Sequence, residues 1–539
     1  MILHKFILST YYIEYFMFAI LTRTTKLISK AFSGLVALVV SVTLAFGQAA
    51  QRPNIIFIFS DDHAYQGIGA YGNKIAKTPN IDRIAREGAL LTNNLVTNSI
   101  CGPSRATLLT GKYSHLNGYK RNDRTKFDTS QTLLSETLRK NGYQTAWIGK
   151  MHLNSLPAGF DYWNVLPDQG HYYNPEFVGQ PNDTTKYTGY VSDLITQFAT
   201  GWLEKRENDK PFFLIVGHKA THREWMPALE DLGAYDDVTF PLPSTFYDDY
   251  KGRKAAADQD MTIDKTMRMK LDLKVGVDYE TDFLYKRLNS EQKKVFKAYY
   301  DKVSKEVTDK NLTGKALVEW KFQRYLRDYF ATANSLDRNI GKLLDYLDKS
   351  GLSKNTVVIY ASDQGFYLGE HGWFDKRFIY EESLKTPFVI RYPGVIKPGT
   401  KVSDLVVNID WAPTVLNIAG VKTPSDMQGK SFFPLLKANR AAQIPWRKEA
   451  YYHYYEFPQP HHVHPHFGLR TSRYKLAYFY GGADSWELYD LQKDPKEVSN
   501  IYGTKGTETL TTDLKTKLKA LMNEYKDDEA LQILATAKP

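Results

Sequence analysis

Apolar positions along the chain form two long runs, residues 54–60 and 356–362, in which β-branched and aromatic residues follow one another with little polar interruption. Such runs predict strands that are buried on both faces of a sheet. Shorter strand patterns and helical patterns alternate between them, at residues 81–88, 133–141, 145–148 and 212–216. This alternation favours an α/β fold with a mostly parallel sheet, whose ligands bind beyond the carboxyl ends of the strands.

The second half of the chain changes character twice. Residues 241–330 are rich in lysine and tyrosine, are mostly helical in pattern and are interpreted as an insertion. A long helix is then predicted at 320–347. Short aromatic strands separated by turns follow near the end of the chain, at 451–457, 467–480 and 486–491. Because a helix is predicted after them at 512–525, this region is expected to form a small antiparallel sheet with one packed helix.

The start of the chain differs from the rest. A basic segment precedes the apolar stretch 32–46, and small residues follow at 47–50, which is the order of a secretory signal. A membrane anchor is the alternative, although the apolar stretch is shorter than the ~20 residues that span a bilayer comfortably. We therefore expect a leader at 1–50 and an exported protein, periplasmic or secreted, with no stable membrane anchor. The predicted domains after the leader are an α/β domain at 51–435 and a smaller α+β subdomain at 436–539.

Composition limits the classes of partner. Hydrophobic residues make up 42% and charged residues 24% of the chain, as in an ordinary globular protein. The formal net charge is +10, and loss of the leader would leave about +7, so polyanionic partners are favoured. Nucleic acid is one such partner, but the basic residues are dispersed and form no recognisable nucleic-acid-binding motif. We therefore expect no nucleic-acid partner.

Cys101 is the only cysteine among 539 residues. In an exported protein, an unpaired thiol is either buried and inert or present for its chemistry. Pro103 suits the first turn of a helix and Gly111 suits its end, which places Cys101 at the positive end of a short helix. Backbone N–H groups at that end favour an anion, and Arg105 lies about one turn further on. The segment is thus a candidate anion-binding site with a reactive residue beside it.

Acidic residues follow both long buried runs. Asp61 and Asp62 come after the first run, at the position where a strand would end. Asp363 and Gln364 come after the second run. A single acidic pair is usually a solvated loop end, but two sets at equivalent strand ends favour a site for a hard cation, calcium or magnesium rather than zinc.

The run from Cys101 to Arg105, Cys-Gly-Pro-Ser-Arg, with the following Ala-Thr-Leu-Leu-Thr-Gly, resembles the signature of the type I, formylglycine-dependent sulfatases of the alkaline phosphatase superfamily. The resemblance covers about residues 53–530 and is strongest to bacterial polysaccharide sulfatases similar to iduronate-2-sulfatase and N-acetylglucosamine-6-sulfatase. It implies a large mixed, mostly parallel sheet sandwiched by helices, with a smaller C-terminal antiparallel sheet plus helix. It also implies that a formylglycine-generating or anaerobic sulfatase-maturating enzyme oxidises Cys101 to 3-oxoalanine (formylglycine).

The resemblance also implies a metal and a set of catalytic residues. One Ca²⁺ per chain would be held by the residue at 101 and by the oxygen ligands Asp61, Asp62, Asp363 and Gln364. Family members usually carry Asp or Asn at the last of these positions, so Gln364 departs from the pattern while keeping a carbonyl oxygen. Gly-Lys-x-His at 149–152 would supply Lys150 to neutralise the sulfate and His152 to take a proton from the formylglycine hydroxyl. Arg105 would offset charge in the transition state.

Two further motifs imply residues for the leaving group and the sulfate. His222 aligns with the histidine of the Pro-His-x-Pro loop, where it would be the general acid for the leaving alcohol. Because Thr221 replaces the usual proline, His218 remains an alternative. Lys376 matches the second sulfate-binding lysine. His371 is a further candidate for the same pocket.

The C-terminal part carries candidates for substrate contact. The resemblance implies that this part contacts the sugar, and His462 and Arg470 are the candidates. Four histidines lie close to Arg470 in the sequence: His461, His462, His464 and His466. The alternatives are that the four histidines bind a metal by chance, without a function, or that they belong to an ordinary loop.

The resemblance implies a sulfuric ester hydrolase that removes sulfate from a sulfated oligosaccharide or polysaccharide, either an algal polysaccharide or a glycosaminoglycan. A phosphomonoester or phosphodiester hydrolase of the same superfamily is one alternative. An inactive glycan-binding homologue is the other.

Overall fold

The structure is a computed structural model that describes residues 15–30, 52–437 and 444–537. The chain divides into two compact units, residues 1–52 and 53–539. In the first unit, residues 15–30 form a helix, whereas the apolar stretch and the small residues of the predicted signal lie outside the described residues. No helix in the described ranges has both the length and the apolar character that are needed to cross a membrane.

The second unit is built on a large sheet. Within its described part, ten strands pair in the order β11-β2-β10-β9-β1-β8-β4-β5-β6-β7. The strands of the whole unit, in chain order, are β1 (Asn54–Ser60), β2 (Ala89–Leu91), β3 (Asn94–Leu95), β4 (Gln144–Lys150), β5 (Tyr162–Leu166), β6 (Glu176–Gly179), β7 (Thr184–Lys186), β8 (Phe212–Gly217), β9 (Thr356–Ser362), β10 (Phe388–Arg391), β11 (Thr400–Val402), β12 (Val406–Val407), β13 (Glu449–Tyr454), β14 (His466–Thr471), β15 (Tyr474–Phe479) and β16 (Ser485–Asp490).

The centre of the large sheet is parallel and its flanks are mixed. The consecutive strands β9, β1, β8, β4 and β5 all run in one direction. Strands β10, β6 and β7 each pair antiparallel with their neighbours. The predicted mixed, mostly parallel sheet is therefore confirmed. Because the parallel strands share one direction, the carboxyl ends of β1, β4, β8 and β9 meet at one edge.

Helices cover both faces of this sheet. The helices of the whole unit, in chain order, are α1 (Pro79–Arg86), α2 (Cys101–Thr110), α3 (Ser114–Asn117), α4 (Leu134–Lys140), α5 (Val191–Lys205), α6 (Lys254–Asp258), α7 (Ser290–Lys310), α8 (Gly314–Lys349), α9 (Glu381–Leu384), α10 (Trp411–Ile418), α11 (Phe433–Leu436), α12 (Glu508–Tyr525) and α13 (Asp528–Thr536). Side chains alternate along a strand, so Phe57 of β1 enters a core with α2, α4 and α10, while Ile56 and Ile58 enter another with α1, α5 and α8. The central strand is thus buried on both faces, as its unbroken apolar run predicts.

The predicted insertion at 241–330 differs from its sequence pattern. The long helix α8 is present and longer than predicted, but residues 241–289 contain only short helical segments, such as α6. Prolines and glycines interrupt this stretch, and its apolar residues pack onto α8 instead of forming a helix of their own. Phe246 and Met267 are examples, since both belong to the core cluster that contains Phe322 and Tyr325.

The described C-terminal residues form a four-stranded antiparallel sheet in the order β13-β14-β15-β16. Helix α12 packs on it through Leu514, Leu518 and Met522. The predicted small sheet with a packed helix is confirmed. Its core also contains Ile379 and Tyr380 from the large domain, which explains why residues 53–539 form one compact unit. The domain boundary at 435 stays a prediction.

Trp411, at the start of α10, offers a test of how the core on the α2 side is held together. Its side chain is fully buried, and its ring centroid lies 5.8 Å from that of Phe57 and 5.6 Å from that of Phe388. Its indole N–H donates to Asn94 Oδ1 at 3.0 Å.

We expect Trp411→Ala to lower the free energy of unfolding by about 3–5 kcal/mol, because it opens a cavity and leaves Asn94 without its donor. Urea unfolding followed by circular dichroism measures this change. Phe283→Ala is the matched control, since Phe283 is 55% exposed and should have little effect. Equal effects from the two substitutions would contradict this account of the core.

Candidate functional site

Three carboxylates meet at the carboxyl ends of β1 and β9. Asp61, Asp62 and Asp363 are fully buried, and each places an oxygen within 4.8 Å of the others. The two strand ends are in register, with Ser60 paired to Ser362, and the Asp62 N–H donates to Asp363 Oδ1 at 3.1 Å. Pairing of the two long apolar runs therefore brings together acidic residues that are about 300 positions apart in the sequence.

Three cations from other segments compensate these carboxylates. Arg105 Nε and Nη2 donate to Asp363 Oδ2 at 3.2 and 2.9 Å. Lys150, the last residue of β4, donates to Asp61 Oδ2. Lys376 donates to Asp62 Oδ2 at 2.7 Å. Arg105 is held further by the carbonyl of Lys150, which accepts from its Nη1 at 3.0 Å, so the guanidinium has a fixed position.

The carboxylates differ in their ionisation. Burial raises the pKa of Asp363 to about 8, and the negative charge of Asp61 acts in the same direction. Burial also raises the pKa of Asp62 to about 6, although Lys376 opposes it. At Asp61 burial is outweighed, above all by Lys150, and the pKa lies well below its usual value. The cluster therefore has room for additional positive charge next to Asp62 and Asp363.

The oxygen atoms around this cluster fit a hard cation. Asp61 Oδ1 and Gln364 Oε1 are buried and accept no hydrogen bond from any described residue. The Gln364 amide nitrogen contacts Asp62 Oδ1 and lies 3.8 Å from Cys101 Sγ. Carboxylate and amide oxygens are the ligands that calcium prefers. The predicted ligands Asp61, Asp62, Asp363 and Gln364 thus lie together, with unsatisfied oxygens of the right type.

Cys101 is the first residue of α2 and lies at the edge of this cluster. Its sulfur is within 4.8 Å of an oxygen of Asp61 and a ring nitrogen of His222. Gly111 ends the helix with a φ of 61°, a left-handed conformation that glycine adopts without strain. The side chain is only 1% exposed, and burial raises the pKa of the thiol well above its usual value. An unmodified Cys101 would stay protonated and would be a poor nucleophile.

A glutamine that the sequence did not single out connects two predicted residues. The side-chain oxygen of Gln169, in the loop after β5, accepts a hydrogen bond from the Lys150 ammonium. Its amide nitrogen lies 3.1 Å from His152 Nε2. Because the ammonium can only donate, the amide nitrogen faces the imidazole at Nε2. The carboxylate of Asp168 lies 3.5 Å from the same nitrogen, so the amide and the carboxylate both orient the ring. Burial lowers the pKa of His152 to about 4, in keeping with a neutral ring.

The two histidines that follow β8, His218 and His222, lie in different surroundings. His222 lies at the cluster, with its Nε2 3.8 Å from Asp62 Oδ2 and its Nδ1 2.5 Å from the carbonyl of Arg223. Since a carbonyl only accepts, Nδ1 carries a proton and Nε2 is the nitrogen that faces the site. His218 is buried away from this cluster. Burial lowers the pKa of its ring, and the negative charge of Asp193 on α5 partly opposes this. The placement therefore favours His222 over His218 as the residue near a leaving group.

Asp375 and Arg377, on either side of Lys376, form a polar wall beside the site together with His461. The sequence did not single out Asp375 or Arg377. Asp375 accepts from Arg377 Nε at 3.1 Å and lies 3.4 Å from His461 Nε2. Arg377 also pairs with Glu456, which follows β13 in the C-terminal part. In the sequence, Asp375 and Arg377 are marked only by their position beside Lys376, and His461 only by its place among the four histidines. The prediction for those histidines named His462 and not His461.

Three predicted substrate residues lie outside the charge cluster. His371 is buried, and its Nδ1 lies 2.6 Å from Asp248 Oδ2. His462 is exposed and rests against Phe457. Arg470, on β14, pairs with Glu381 of α9 at 3.0 Å. None of the three contacts the carboxylates, the lysines or Cys101 among the described residues, and His371 and Arg470 are held by carboxylates of their own.

Asp363 provides a test of the cation site. Asp363→Asn keeps the size of the side chain, but the amide cannot lose a proton and become an anion when a cation binds. We therefore expect calcium affinity to fall about 10-fold or more, since charge on the ligands tunes calcium binding. Isothermal titration calorimetry with Ca²⁺ alone measures this change. Asp309→Asn is the control, because Asp309 forms only an exposed pair with Lys305. Equal affinity for all three proteins would contradict the assignment of the site.

The chain is similar to known proteins over most of its length. A family model described as "Sulfatase" matches residues 53–421, and one described as "N-sulphoglucosamine sulphohydrolase, C-terminal" matches residues 369–524. An N-acetylglucosamine-6-O-sulfatase of Bacteroides thetaiotaomicron is 46% identical over 495 residues, 89% of this chain and 88% of that protein. The human N-acetylglucosamine-6-sulfatase is 26% identical, over 76% of this chain and 69% of that protein.

Solved structures are similar to this chain over most of its length. A protein in complex with its substrate, D-glucosamine-2-N,6-O-disulfate, has a TM-score of 0.86 and 46% identity, covering 88% of this chain and 99% of that chain. A phosphonate monoester hydrolase of Agrobacterium radiobacter has a TM-score of 0.65 at 19% identity, covering 88% of this chain and 96% of that chain. At that identity the likeness concerns the fold alone.

Proposed function

Because this chain belongs to the sulfatase family and is a hydrolase of sulfate esters, we propose that it cleaves the 6-O-sulfate of a glucosamine unit in a sulfated glycan. The relative with 46% identity over nearly the whole chain is named for this bond. The protein with a TM-score of 0.86 was solved with a substrate that carries it. The observation within the structure that supports the reaction is the buried site at the start of α2, where Cys101, Asp61 and His222 lie together.

We infer that residue 101 acts after oxidation to formylglycine. The high pKa of the buried thiol argues against a cysteine nucleophile, and the Cys-Gly-Pro-Ser-Arg sequence at the start of α2 is the substrate such oxidation requires. Formylglycine in its hydrated form supplies an oxygen nucleophile for the sulfur atom. A formylglycine-generating or anaerobic sulfatase-maturating enzyme would be the partner for this step, and residues 1–50 would direct export.

Asp61, Asp62, Asp363 and Gln364 would hold a calcium ion, whose charge would polarise a sulfate oxygen. Lys150 and Lys376 point their ammonium groups at the same carboxylates. Both are therefore placed to offset the negative charge that grows on the sulfate oxygens in the transition state. Arg105 acts through its contacts to Asp363, and we assign it to positioning that carboxylate.

The two histidines would handle protons on opposite sides of the ester. His222 presents Nε2 to the site, and protonation there would let it donate to the departing sugar oxygen. Burial holds the pKa of His222 well below its usual value in the free protein, so the negative charge of a bound sulfate ester is needed to favour the protonated ring. His152, which burial keeps neutral and Gln169 orients, is placed to accept a proton from the formylglycine hydroxyl during sulfate release.

The wall formed by Asp375, Arg377 and His461 would bind the sugar. A carboxylate flanked by a guanidinium and an imidazole offers one acceptor and several donors, which suits neighbouring hydroxyl groups of a hexose. Because these residues surround Lys376, a sugar held there would keep its sulfate next to the charge cluster.

The substrate proposal is tested by sulfate release from defined sugars. We expect turnover of D-glucosamine-2-N,6-O-disulfate and N-acetylglucosamine-6-sulfate, and no turnover of N-acetylgalactosamine-4-sulfate or N-acetylglucosamine-6-phosphate. A phosphate monoester carries close to one more negative charge at neutral pH, which the acidic cluster disfavours. Ion chromatography of released sulfate and phosphate measures all four reactions. Faster cleavage of the phosphate or of the 4-sulfate would refute the proposal.

The role of His222 is tested with leaving groups of different acidity. We expect His222→Ala to lower kcat for the sugar 6-sulfate about 10²- to 10⁴-fold, because an alcohol needs a proton to depart. The loss should be much smaller for 4-nitrophenyl sulfate, whose phenolate departs without one. His462→Ala is the control, since His462 is an exposed histidine outside the cluster. Equal losses on both substrates would show that His222 is not the general acid.

A further inference from the structure

Lys219 is a buried lysine beside the site whose charge the mechanism does not use. It lies in the turn after β8, three residues before His222, and is 2% exposed. Its ammonium forms no hydrogen bond or ion pair with any described residue. The group it meets is the face of Tyr172, whose ring centroid lies 4.9 Å from Nζ. The carboxylate of Glu224, on the same segment, partly offsets the lysine charge but lies beyond ion-pair distance.

Other buried lysines in the described ranges have compensating partners. The closest match is Lys274, which is fully buried and donates to Asp328 Oδ2 at 3.0 Å and to the carbonyl of Glu224 at 2.7 Å. The remaining buried lysines also contact carboxylates or carbonyl oxygens; they are Lys150, Lys321, Lys376 and Lys475. A buried charge without a partner costs several kcal/mol, and burial accordingly lowers the pKa of Lys219. An anion that arrives with a ligand would remove that cost.

The surroundings of Lys219 place it on the sugar side of the site. The Tyr172 hydroxyl donates to the carbonyl of His222 at 2.6 Å, and the His222 N–H donates to the carbonyl of Lys219 at 2.9 Å. Lys219, Tyr172 and His222 therefore form one packed unit. In the proposed mechanism His222 faces the oxygen that joins the sugar to the scissile sulfate, so an anion near Lys219 would be a substituent of that same sugar.

We propose that Lys219 is a specificity-determining residue that binds a second sulfo group of the substrate, the 2-N-sulfo group of a 6-O-sulfated glucosamine. This inference rests on the proposed function, because it assumes a glucosamine 6-sulfate in the site. An N-sulfo group supplies the negative charge that Lys219 lacks. An N-acetyl group is neutral and leaves the ammonium uncompensated, so Lys219 sets the preference between the two substituents.

The experiment compares Lys219→Met with the wild-type protein on two sugars, D-glucosamine-2-N,6-O-disulfate and N-acetylglucosamine-6-sulfate. We expect the ratio of kcat/KM for the disulfate over the N-acetyl sugar to fall about 10- to 100-fold, the effect of losing a hydrogen bond between charged groups. Lys219→Arg keeps the charge and should retain most of the ratio. Lys294→Met, at an exposed lysine on α7, is the matched control and should leave the ratio as in the wild type.

An unchanged ratio in Lys219→Met would overturn the proposal, even if both rates fell together. The thermal unfolding midpoint gives an independent readout. Removal of an uncompensated buried charge should leave the midpoint equal or higher, whereas a marked drop would show that Lys219 is a structural residue. If the wild-type protein hydrolyses neither sugar, the proposed function fails first, and the ratio cannot be formed.

Discussion

Burial of three carboxylates at two adjacent strand ends is the constraint on which the rest of the structure depends. Uncompensated, each buried charge would cost several kcal/mol. The compensation comes from three separate parts of the chain: the start of α2, the end of β4 and the segment after α8 and β9. These parts supply Arg105, Lys150 and Lys376. The same requirement that stabilises the cluster therefore also assembles the groups that a sulfate ester needs around it.

A series of polar contacts connects the carboxylate cluster with the small C-terminal sheet. The N–H of Gly102, next to Cys101, donates to Asn122, and the N–H of Asn122 donates to Glu456. Glu456 pairs with Arg377, which borders Lys376. A chain of polar contacts thus links the start of α2 with the wall that we assign to the sugar. The C-terminal sheet and the large sheet therefore share one compact unit. The segment that follows the first strand of the small sheet contributes directly to the site.

Periodicity and spacing predicted the parts of the fold and site that depend on local pattern. The two apolar runs predict the central strands, and the parallel pairing of these strands makes Asp61 and Asp363 neighbours. Long-range packing decided the rest. The structure of residues 241–289 depends on packing against α8 and not on a helical pattern of their own. Asp375 and Gln169 belong to the site only because the fold brings distant loops together. His371 is near Lys376 in the sequence, but in the fold its ring contacts Asp248 and not the charge cluster.

The central claim is that residue 101 works as formylglycine inside this buried cluster. Mass spectrometry of the peptide that contains residue 101, from active protein purified from its native host, tests it directly. The account predicts a residue that has lost sulfur and two hydrogens and gained one oxygen relative to cysteine. Fully active protein in which this peptide carries only unmodified cysteine would contradict it.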